Sequence, residues 1–73
     1  MIDLNCIGLK CPEPVMMLRK TVRKMEDGET LEVVTDDPST KRDFPAFCEH
    51  MDHTLISSCE ENDTFKFVIK KGM

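Results

Sequence analysis

The residues best suited to chemistry lie in one stretch, Gly8-Leu9-Lys10-Cys11-Pro12-Glu13-Pro14. It reads as the junction between a first strand and a first helix, with Cys11 at the helix start. Free N–H groups and the dipole at a helix N-terminus favour an anion, so a thiol placed there is set up as a nucleophile. Lys10 adds to that field and Glu13 opposes it. Pro12 fits the first helical position, where its missing N–H is no loss, and Pro14 falls within the first turn. The two rings stiffen the turn and leave Glu13 and Val15 as the backbone donors nearest the sulfur. Cys11 has no partner in a Cys-x-x-Cys pair, because Pro14 occupies the place of the second thiol. A dithiol oxidoreductase needs that thiol to resolve its mixed disulfide.

The other cysteines read differently. Cys6 falls on the apolar face of the first strand and Cys48 on the apolar stripe of the second helix, both as core filling. Cys59, on a weak strand, is left open. His50 and His53 are expected to face solvent near the end of the second helix. Cys6, Cys11 and Cys48 with either histidine match no common zinc spacing, so neither a metal nor a cofactor is expected. Seventy-three residues form one domain, 1–73, with little interior for a deep pocket. Chemistry must then occur on the surface, with a partner completing the site. No apolar run reaches the length of a membrane span and no signal-peptide pattern opens the chain, so free thiols, a cytoplasmic location and no membrane association are expected.

Net charge is −4, yet five of the ten basic residues, Lys10, Arg19, Lys20, Arg23 and Lys24, lie in or beside the first helix. This cluster reads as a solvated face, an RNA-contacting patch, or a docking face for acidic protein partners. Docking is favoured over RNA: no aromatic stacking residues lie nearby, and the acidic remainder would repel phosphate. Met16 and Met17 fall off the core stripe and suit adaptable contacts. The candidate docking set is therefore Lys10, Glu13, Met16, Met17, Arg19, Lys20, Arg23 and Lys24, around Cys11 as the reacting group.

These residues need elements to hold them. Ile2, Leu4 and Cys6 alternate with Asp3 and Asn5, a short strand with one apolar face. A helix from Pro12 to about Met25 carries Val15, Leu18, Val22 and Met25 on its apolar side, with Cys11 at the upper end, and Gly28 as its stop. Thr30 to Thr35 is a β-branched strand, followed by capping chemistry at Asp36-Asp37-Pro38-Ser39. The second helix places Phe44, Phe47, Cys48 and Met51 on one side; Pro45 either kinks it or delays its start to about Asp43. Thr54 to Glu60 is a weaker strand, Asn62-Asp63 a turn, and Phe65, Phe67 and Ile69 mark a final strand. The order β-α-β-α-β-β predicts an α/β two-layer sandwich, a four-stranded mixed sheet with two helices on one face.

The run Cys11-Pro12-Glu13-Pro14-Val15-Met16-Met17 resembles the TusA/SirA-like family of sulfur carriers, whose hallmark is Cys-Pro-x-Pro opening the first helix. Matches continue through Arg19-Lys20-Thr21-Val22-Arg23, Gly28-Glu29-Thr30-Leu31, Asp36-Asp37-Pro38 and Arg42-Asp43-Phe44-Pro45-Ala46-Phe47-Cys48. Asn5 departs from the pattern, which often has an acidic residue there. The resemblance implies strand order 1-2-4-3 with the fourth strand antiparallel. It also implies a sulfurtransferase that takes sulfane sulfur from an IscS-type cysteine desulfurase as a persulfide on Cys11. A TusBCD-type complex would be the acceptor, and 2-thiolation of a tRNA wobble uridine the endpoint. A monomer that does not itself bind tRNA is expected. The alternative is a non-catalytic regulatory or RNA-binding module that uses the basic first helix.

Overall fold

The computed structural model describes residues 1–72. Its elements are β1 (Ile2–Cys6), α1 (Glu13–Lys24), β2 (Thr30–Thr35), α2 (Thr40–His50), β3 (Thr54–Glu61) and β4 (Thr64–Lys70). The sheet order is β1-β2-β4-β3. β1 runs parallel to β2, while β4 is antiparallel to both β2 and β3. Alternation decides which side chains point inward: Leu4, Val33 and Phe67 stand in one row across the sheet, with Leu31 and Ile69 in the next. Leu18, Val22 and Met25 of the α1 segment and Phe44, Phe47 and Cys48 of α2 close over that face in one core. This is the two-layer arrangement expected.

The parallel pairing matters most for function. Cys6 lies opposite Thr35, so the β1–α1 and β2–α2 connections leave the sheet at the same end. Residues far apart in sequence meet there.

Several local expectations need correction. Pro12 stands just before α1 and not at its first position, because its carbonyl accepts the first helical bond from Met16 N–H at 3.1 Å. Helix α1 also ends early, at Lys24, with Met25 already extended. Gly28, at φ 91°, serves the turn into β2 and donates its N–H to Lys71 O. Pro14 is fully buried and Val15 only partly, so the apolar stripe runs through Pro14, Leu18, Val22 and Met25. Helix α2 starts at Thr40 and contains Pro45, which excludes the late start. Burial of Phe44 and Phe47 on either side of the proline holds the helix together across the missing bond. Met51 follows the last turn of α2 and is 49% exposed, not core. At the other end, Asn62 and Asp63 both adopt positive φ and close a two-residue hairpin between β3 and β4.

Candidate functional site

Cys11 is exposed, whereas Cys6 and Cys48 are buried and Cys59 is exposed on β3. Its loop is fastened to the neighbouring junction by carboxylates. Cys11 donates its backbone N–H to Asp37 Oδ2 at 2.6 Å, and Gly8 donates to Asp36 Oδ1 at 3.0 Å. Glu13 N–H is not free near the sulfur, as expected from sequence, but bonds Lys10 O at 2.8 Å. Leu9 N–H closes a turn onto Cys6 O. The cysteine loop is thus held from both flanks of Cys11.

Asp37 is the keystone of this arrangement and is only 8% exposed. Besides the Cys11 amide, it accepts Ser39 N–H at 3.1 Å through Oδ1 and donates its own N–H to Thr35 Oγ1. Its carbonyl accepts the Thr40 hydroxyl at 2.6 Å. One residue therefore ties the end of β2, the start of α2 and the cysteine loop together. The Ser39 amide holds the Asp37 carboxyl below its ordinary value; burial opposes this, and the Cys11 amide and the Lys10 charge reinforce it.

A second carboxylate touches the sulfur itself. The Cys11 thiol donates a long hydrogen bond, 3.7 Å, to Asp43 Oδ2, while Asp43 Oδ1 faces Arg42 Nε at 3.9 Å. Sequence reasoning missed Asp36, Asp37 and Asp43 as site residues. The available signal was topological: two parallel strands joined by a helix bring their following loops to one sheet end.

The expected docking residues separate. Lys10 and Glu13 flank Cys11 and are exposed. A groove between α1 and α2 consists of two adjoining open hollows of about 370 and 460 Å³ that share Arg19, Phe47 and Met51. One end is formed by Pro12 and Asp43, beside Cys11, and the other by Arg23 and Lys71. Arg19 and Arg23 form no ion pair among the described residues. Met16, Met17, Lys20 and Lys24 are exposed but do not line this groove. His50 is exposed, as expected, whereas His53 is not solvent-facing: its ring packs on Phe47 at 5.6 Å and Nδ1 accepts Gly72 N–H. Among the described residues no cluster of histidine, cysteine or carboxylate has the geometry of a metal site. Among the described residues no helix is long and apolar enough to cross a membrane.

Pro14, in the place of a resolving thiol, is packed in the core beneath the helix start. An exposed thiol with a fixed backbone and no adjoining cysteine can accept and hold a group until a partner removes it.

Two comparisons bear on this site. The family model described as Sulfurtransferase TusA matches residues 2–71. Among solved structures, the chain is similar to the SirA-like protein of Desulfitobacterium hafniense. The TM-score is 0.86 and the identity 23%, with 100% of both chains covered. At that identity the likeness is one of fold.

Proposed function

This chain belongs to the TusA sulfurtransferase family, whose model spans residues 2–71, and from that premise we propose that Cys11 carries sulfane sulfur as a persulfide. In loading, the Cys11 sulfur attacks the outer sulfur of a donor persulfide. A new S–S bond forms at Cys11, the donor S–S bond breaks, and the donor thiolate leaves with the proton that Cys11 gives up. In unloading, an acceptor thiolate attacks the same outer sulfur, and Cys11 departs as a thiolate that takes up the proton the acceptor thiol gave up. Each step exchanges one S–S bond for another, so no external oxidant or reductant is needed.

The observation that carries this reading is the placement of Cys11: an exposed thiol at a helix start, its amide fixed by Asp37, with proline where a resolving cysteine would stand. An IscS-type cysteine desulfurase fits as donor and a TusBCD-type complex as acceptor, in the cytoplasm, with 2-thiolation of a tRNA wobble uridine downstream. The two partners read the surface around Cys11, Lys10 and Glu13 and the groove edged by Arg19 and Arg23.

Incubation with a desulfurase and free cysteine should add the mass of one sulfur atom to the intact chain, and peptide mapping should place it on Cys11. Cys11→Ser should abolish the gain. If that variant still accepted a full equivalent, now on exposed Cys59, the assignment would be wrong.

A further inference from the structure

The carboxylate against the Cys11 sulfur is unexpected for an activated nucleophile. A helix N-terminus favours a thiolate, but a second negative charge at the same point opposes it. Asp43 Oδ2 lies 3.7 Å from Sγ, and the Asp43 side chain is 25% exposed, so solvent does not fully screen the pair. A carboxylate in that position engages the thiol as a hydrogen-bond donor and leaves an anionic oxygen beside the sulfur to which a cation can bind.

The charges that face this point come from every neighbouring segment. Lys10 and Glu13 stand on the cysteine's own loop and helix, and Asp36 and Asp37 on the opposite loop. Arg42 pairs loosely with Asp43, while Arg19 and His50 share its hollow. Of these, Asp43 alone has a hydrogen-bond contact with the sulfur.

We propose that Asp43 restrains the Cys11 sulfur through this hydrogen bond in the free carrier, so that its full nucleophilicity appears only when a partner brings positive charge to Asp43. The inference rests on Cys11 being the carrier thiol. Asp43 lies at the mouth of the groove beside Pro12, where a bound protein reaches it. A guanidinium or ammonium group docked on Oδ2 would take over the hydrogen bond now made by the thiol and cancel the opposing charge. The free carrier would then be slow toward stray electrophiles and quick within a complex.

The test uses iodoacetamide, a neutral electrophile, with alkylation followed cysteine by cysteine by mass spectrometry. Cys59, on β3, serves as the internal reference, and the buried Cys6 and Cys48 report whether the fold is intact. In Asp43→Asn, which weakens the hydrogen bond to the thiol, the Cys11 rate relative to Cys59 should rise severalfold at pH 7. Cys6 and Cys48 should remain unreactive in both proteins. An unchanged or lower ratio, with those two still protected, would overturn the proposal. Alkylation of Cys6 or Cys48 would assign the change to unfolding, and Asp43→Ser then decides by the same ratio; Glu13→Gln, which removes a charge that does not touch the sulfur, should raise the ratio clearly less than the folded Asp43 variant, and an equal rise overturns the role of Asp43. None of these readouts uses a sulfur donor, so failure of wild type to load a persulfide is a separate result that overturns the carrier reading alone.

Discussion

Burial pushes the Cys48 thiol up to about 11 and raises that of Cys6 as well, so neither competes with Cys11 near neutral pH. The same burial makes a stability prediction. A thiol raised in the folded state contributes stability that is complete below its unfolded value and lost as pH rises through the folded one. Between about pH 9 and 11 the chain should lose up to roughly 1.4 kcal/mol per pH unit through Cys48, and Cys48→Ala should flatten that limb of the melting curves. Asp37 has the opposite sign. Its lowered value adds stability above the ordinary carboxylate range and loses it as pH falls through the folded value. Asp37→Asn should therefore flatten the acid limb below about pH 4, and faster amide exchange at Cys11 should report the weakened 2.6 Å bond. Residue chemistry also explains what sequence could disclose of the site. The exposed place of Cys11 at the helix start was legible because a cysteine between a strand and a proline-bounded turn is seldom buried. Asp37 and Asp43 were not, since they lie 26 and 32 residues away and the capping pattern gave Asp37 a sufficient reason to exist.

At the scale of elements, the periodicities carried most of the fold. Phe65, Phe67 and Ile69 alternate so regularly that β4 could only be a half-buried strand, and their burial agrees. Asn62-Asp63 marked its hairpin because both positions need positive φ, which those side chains tolerate. Helix boundaries were less legible, since proline is compatible with several positions in a first turn. Calling Val15 core in place of Pro14 was a rotation of one residue, which helical spacing alone does not resolve. Pro45 was undecidable for a different reason. Local propensity argued against a helix there, and only the packing of Phe44 and Phe47 overrides it. That conflict is measurable. Restoring an N–H in the middle of α2 gains about 3 kcal/mol of helix propensity. Part is offset by loss of half-buried ring contact beside Phe65 and Phe67 and by a freer unfolded chain. Pro45→Ala should stabilise by about 1 kcal/mol, raising Tm by about 4–8 °C. A lower Tm would mean that the ring's packing outweighs its cost to the helix.

Over the whole molecule, charge is distributed against its own sum. The net value is −4, yet the groove leading to Cys11 is edged by Arg19, Arg23 and Lys71. At physiological salt, fields fade over about 8 Å, so an approaching protein responds to the groove and not to the total. Arg23 lies ten residues beyond Glu13, the start of α1, or about 15 Å along the helix, so a partner reading both Arg23 and Cys11 must cover most of α1. The proposed docking role can be separated from ordinary helix electrostatics by one matched pair. Arg23 and Lys24 both occupy the last turn of α1, where a positive charge favours the helix by the same 0.3–1 kcal/mol. They differ in direction: Arg23 lines the groove and Lys24 does not. Arg23→Glu and Lys24→Glu should therefore lower Tm by similar small amounts. In association with a cysteine desulfurase, the proposed donor, Arg23→Glu should slow binding severalfold more than Lys24→Glu, and raising the salt concentration should close the gap because steering acts through the on-rate. Stopped-flow binding at low and high salt measures both effects. Equal slowing by the two variants would place docking on the outer face of α1 and not in the groove; no slowing by either would return both charges to a solvated helix surface.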